Sequence, residues 1–81
     1  MTTLLPRDRL EGTRMRLCAH GDVSATVRDA GGKLYLCARF LKEDAKWVER
    51  EILADWPKAR TTSGNHDEHS SCVTWRVNRE R

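Results

Sequence analysis

The stretch KLYLCARFL, Lys33 to Leu41, decides the fold, because its side chains alternate in character without a break. Leu34, Leu36, Ala38 and Phe40 fall on one side of an extended chain, and Lys33, Tyr35, Cys37 and Arg39 fall on the other. One face suits a core. The other is basic and carries an aromatic ring.

Working outward, the upstream neighbour has the same period. Val23, Ala25 and Val27 alternate with Ser24, Thr26 and Arg28, and the loop Asp29-Ala30-Gly31-Gly32 joins this strand to the next as a hairpin, its glycines free to take positive φ. Gly21-Asp22 reads as a turn. Before it, Met15, Leu17 and Ala19 alternate with Arg14, Arg16, Cys18 and His20, which predicts a further strand over Arg14 to His20. Pro6 suits the first position of a short helical turn that ends before Gly12, with Leu4, Leu5 and Leu10 as its apolar residues.

Downstream of Leu41 the period changes. Leu41, Ala45, Val48, Ile52 and Trp56 recur at spacings of four, three, four and four, the stripe of an amphipathic helix, which Pro57 ends. Trp47 lies off that stripe, so either the N-terminal leucines cover it or it is an exposed contact residue. Lys58 to Ser71, KARTTSGNHDEHSS, shows no periodicity and reads as a long loop. The final strand is Cys72 to Asn78, with Val73, Trp75 and Val77 on its apolar side.

The predicted architecture is therefore α+β, a single domain over 1–81: a four-stranded antiparallel sheet in the order β-β-β-α-β, packed on one helix, with one basic sheet face open. A single helix cannot cover both faces of four strands. The long loop allows the last strand to pair with either the first or the third.

Composition narrows the class. A chain of 81 residues buries only about 60% of its unfolded surface, which favours a shallow surface site over a deep catalytic cleft. No apolar run approaches membrane-spanning length, and the N-terminus lacks the apolar core of a signal peptide, so a cytoplasmic protein is expected. Three cysteines, Cys18, Cys37 and Cys72, lack the spacing of a disulfide framework and are expected to be reduced thiols.

On the predicted registers the open face presents Arg14, Arg16, Arg28, Lys33, Arg39 and Arg76 around Tyr35, with no Asp or Glu. The helix segment Lys42 to Trp56 holds five acidic and three basic residues, so charge is segregated within a chain of net charge +3. Such a face attracts an anionic partner. Arginine forks pair with carboxylates bidentately. A single-stranded nucleic acid calls for more than one stacking ring, and only Tyr35 is in place.

Two other chemistries can be weighed. His66, His69 and Cys72 have H-x-x-H-x-x-C spacing, with Cys18, His20 or Cys37 as a fourth zinc ligand, but no paired knuckle accompanies them. No nucleophile or oxyanion site is located beside His66, Asp67, Glu68 and His69. Neither metal, cofactor nor catalysis is therefore expected.

The basic alternation in RMRLCAH, VSATVR, KLYLCARF and CVTWRVN, together with the helix EDAKWVEREILADW, resembles the small phage-encoded anti-CRISPR proteins directed at type I-C interference complexes. The resemblance covers the whole chain as a layout and rests on no diagnostic motif. It implies a non-enzymatic inhibitor in the host bacterial cytoplasm that binds a Cas subunit and blocks target DNA. Its partner-binding residues would be Arg14, Arg16, Arg28, Lys33, Tyr35, Arg39 and Arg76, set against an acidic surface of a host protein complex. The alternative expectation is a small basic nucleic-acid-binding protein.

Overall fold

The computed structural model describes residues 5–77. The elements are α1 (Pro6–Cys18), β1 (Ser24–Ala30), β2 (Lys33–Leu41), a 3-10 turn (Lys42–Asp44), α2 (Ala45–Asp55), β3 (Arg60–His66) and β4 (Ser70–Val77). The strands form one antiparallel sheet in the order β1-β2-β4-β3. The α+β class and the four-stranded antiparallel sheet are as expected, but the element order is α-β-β-α-β-β and two helices cover the sheet.

The segment expected as a first strand, Arg14 to His20, is instead the second half of α1 and the turn after it. Helix and strand templates both accept RMRLCAH, because Leu17 fits either one. What decides is Leu10, Thr13 and Leu17, spaced three and four apart and buried together on one helical stripe. Met15, which the strand reading turns inward, is 63% exposed. Pro6 does start the helix, with Asp8 in the first turn and Arg16 in the last, as the helix dipole favours. Gly12 does not stop it.

β1 and β2 follow the alternation. Asp29 pairs with Leu34 and Ala30 with Lys33, so the hairpin loop narrows to Gly31 and Gly32, whose φ values of 59° and 77° form a tight two-residue turn. α2 places Val48 and Ile52 inward. Trp56, the residue before Pro57, leaves helical geometry at φ −133° and ψ 76°. Its ring stays in the core.

The segment read as a loop over Lys58 to Ser71 contains β3, an edge strand paired with β4, and the short turn that joins them. Every residue of β3 is exposed, so there was no apolar side to alternate with a polar one. The last strand is β4, which pairs with β2 rather than with any strand from Arg14 to His20. Asn78 lies outside the described residues. Asp67 builds the β3–β4 turn: its Oδ1 accepts the backbone N–H groups of His69 at 2.9 Å and Ser70 at 2.7 Å. Three of its contacts come from Ser70, through the backbone N–H and the hydroxyl, which reaches both carboxylate oxygens.

Both helices lie on the face defined by Leu34, Leu36, Ala38 and Phe40, and one core joins those residues to Leu10, Leu17, Val48, Ile52, Trp56 and Trp75. Fully burying a Leu, Val, Ile or Phe side chain of this core contributes about 1.5–3 kcal/mol. Trp47 is half-buried against this core. Its ring meets that of His20 edge-on, with centroids 4.3 Å apart, so the cover comes from the turn after α1, while Leu5 is exposed.

Candidate binding face

The antiparallel registers put alternate residues of all four strands on the side away from the helices. From β2 these are Lys33, Tyr35, Cys37 and Arg39. Arg28 stands opposite Tyr35, Tyr35 opposite Arg76, and Arg76 opposite Arg60. With neighbouring strands about 4.8 Å apart, these four side chains form one row about 14 Å long across the sheet. Three are guanidinium groups. The fourth, the Tyr35 ring, is capped by Arg28, whose Cζ lies 5.2 Å from the ring centroid.

Lys33 and Arg39 flank this row along β2, and all five cations of the face are exposed. Ser24, Thr26, Ser63, Asn65 and Thr74 supply its neutral positions. None of the open-face positions of the four strands is Asp or Glu. At the β3 end, Lys58, Arg60 and Arg76 converge with Pro57 and Ala59 on a depression of about 590 Å³. The sheet thus ends in a cationic corner.

Arg60 and Lys58 were not among the residues singled out from the sequence. Both sit in the segment that lacks apolar periodicity, and the only local hint of a strand is the pair of β-branched residues Thr61 and Thr62. Two expected members of the face, by contrast, belong elsewhere. Arg14 and Arg16 are on α1, on the other side of the sheet, and both are paired. Arg14 Nε donates to Glu11 at 2.9 Å. Arg16 reaches Asp55 Oδ2 at 2.8 Å and Glu51 Oε1 at 3.1 Å, joining α1 to α2. The hydrogen bond to Asp55 raises the Arg16 pKa above its ordinary value, and that to Glu11 does the same for Arg14.

The histidine spacing does not converge. His66 has its Nδ1 2.7 Å from Ser71 Oγ, and Ser71 is buried on the helix side of the sheet. Cys72, the next residue, lies on the opposite face, and His69 is exposed in the turn beside Glu68. Among the described residues no group of three or more His, Cys, Asp or Glu side chains could hold a metal ion.

Cys72 has a different neighbour, Cys37 on β2, with the sulfur atoms 3.7 Å apart. The hydrogen bond to Cys37, followed by burial, pushes the Cys72 thiol pKa above its ordinary value.

No family model, curated protein or solved structure matches the chain. No helix among the described residues is long and apolar enough to cross a membrane.

Proposed function

We propose that this chain is a non-enzymatic binding domain, a phage-type inhibitor that docks its basic sheet face on an acidic surface of a host protein complex. The observation that carries the reading is the row Arg28, Tyr35, Arg76 and Arg60, which holds three guanidinium groups, Arg76 and Arg60 adjacent and Arg28 across the Tyr35 ring from them, with no carboxylate among the open-face strand positions. Guanidinium groups fixed at strand spacing suit bidentate pairing with carboxylates, and the corner formed by Lys58, Arg60 and Arg76 suits an acidic side chain. The resemblance to anti-CRISPR proteins names one such partner, a Cas subunit whose occupation blocks target DNA.

A nucleic acid is the second reading, favoured by the same cationic corner, which also suits a phosphate. The capped Tyr35 ring weighs against it. Arg28 already occupies that aromatic surface, and no second aromatic ring stands on the open face among the described residues, so stacking on bases has little to use.

The test is affinity capture from host lysate, with and without nuclease, using the wild-type chain and an Arg28→Glu/Arg76→Glu variant. The expected result is one protein complex retained after nuclease treatment and lost with the variant. Retention of the same complex by the variant sinks the proposal. Loss on nuclease treatment, with a salt-dependent shift of labelled DNA or RNA, establishes the second reading instead.

A further inference from the structure

Cys37 and Cys72 stand on adjacent strands of the open face with their sulfur atoms 3.7 Å apart. The register sets Cys37 opposite Thr74 and Cys72 opposite Arg39, so the two are diagonal neighbours on one surface. Both are only partly buried, which leaves them open to a small reagent. The third cysteine, Cys18, is on α1 and packs against the core. It serves as an internal comparison.

We propose that Cys37 and Cys72 are a redox modification site, closing reversibly into an intrachain disulfide when a low-molecular-weight disulfide such as oxidised glutathione accumulates. A disulfide needs the sulfur atoms to close by about 1.7 Å from their present contact. Side-chain rotation together with a small shift of the two strands toward each other supplies it. A diagonal bridge keeps some strain, and strained, accessible disulfides are the readily reduced ones. The bond is therefore a switch rather than a permanent staple.

Either thiol can open the exchange as its thiolate, because each sulfur lies 3.7 Å from the other; in one order Cys37 attacks first. It bonds to one sulfur of oxidised glutathione and releases one glutathione thiolate, which takes up a proton. Cys72 then loses its proton to solvent and attacks the Cys37 sulfur, releasing the second glutathione thiolate, which is protonated in turn. Two protein thiols have lost two electrons and two protons, and one glutathione disulfide has gained them as two glutathione thiols.

The bridge would lie between Arg39 and Thr74 in the middle of the cationic face, and any effect on docking rests on the function proposed above. The chemistry does not, and the experiment needs no partner. The full chain is incubated over a series of oxidised-to-reduced glutathione ratios, free thiols are alkylated, and the cysteines are mapped by peptide mass spectrometry. The expected result is a monomeric chain that has lost two hydrogen atoms, with Cys37 joined to Cys72 before Cys18 is modified, and that dithiothreitol restores. A Cys72→Ser variant should stop with one glutathione on Cys37. The proposal is overturned if Cys37 and Cys72 stay alkylatable where Cys18 already carries glutathione. It is equally overturned if they carry separate glutathiones or join only between chains.

Discussion

Trp56 Nε1 donates to Thr13 Oγ1 at 3.1 Å, and this bond, made inside the core, links the end of α2 to the middle of α1. The Thr13 hydroxyl in turn donates a hydrogen bond to Asp55 Oδ2 at 2.8 Å, and Asp55 is also the partner of Arg16. Replacing Thr13 with valine keeps the shape but strands the indole N–H. Thr13→Val should cost about 1–3 kcal/mol and Thr13→Ser much less. Denaturant unfolding of the two variants measures the difference; equal losses in both would show that the hydroxyl contributes nothing.

Gly12 occupies the interior of α1, and a Cβ added there meets no atom within 4 Å. Glycine gives up more chain entropy than alanine on entering a helix. Gly12→Ala should therefore raise stability by about 0.5–1 kcal/mol, seen as a higher denaturant midpoint with an unchanged slope.

Arg16 and Arg76 should separate stability from binding. Arg16→Ala removes two ion pairs that are partly exposed, and solvent screening holds the loss to about 0.2–1 kcal/mol. Partner capture should be intact. Arg76→Glu should leave stability within about 0.5 kcal/mol and weaken capture, so thermal melting and pull-down run on the same two variants show opposite patterns.

Asp67 gives a pH dependence whose sign is fixed. Its hydrogen bonds from the Ser70 and His69 backbone and from the Ser70 hydroxyl lower its pKa from 3.8 to about 2. A carboxyl group with a depressed folded-state pKa stabilises the fold above its unfolded value, here 3.8, and that contribution is lost as pH falls through about 2. The stability gap between wild type and Asp67→Asn should accordingly narrow as pH drops across this interval. A gap that stays constant would falsify the assignment.

Much of the sheet was legible because half-buried strands announce themselves. Leu34, Leu36, Ala38 and Phe40 are all buried while Lys33 and Arg39 are exposed, and the two glycines fixed the hairpin. α2 was legible for the same reason at a longer period. Two segments misled for opposite physical reasons. In α1 a run of arginines interleaved with Met15, Leu17 and Ala19 imitates strand alternation, although only Leu17 of those three is buried. In β3 backbone pairing to β4 makes a strand out of residues that bury no side chain, so no pattern of hydrophobicity could reveal it. The site inherited both errors. Arg14 and Arg16 were assigned to a surface that α1 does not share, and Arg60 was missed at the end of the row it completes, while Arg28, Lys33, Tyr35, Arg39 and Arg76 occupy the expected face.

The extra residue in β3 has a consequence for what this edge of the sheet offers to another chain. Thr61 pairs with Trp75 and Ser63 with Thr74, so Thr62 has no counterpart, and its hydroxyl bonds back to the Thr74 carbonyl at 3.3 Å. A foreign strand arriving at this border finds the ladder of amide groups broken after two residues. β3 thus carries Arg60 to the rim of the sheet on an edge whose ladder is interrupted at Thr62, which shortens the run of amide groups a second chain could pair with.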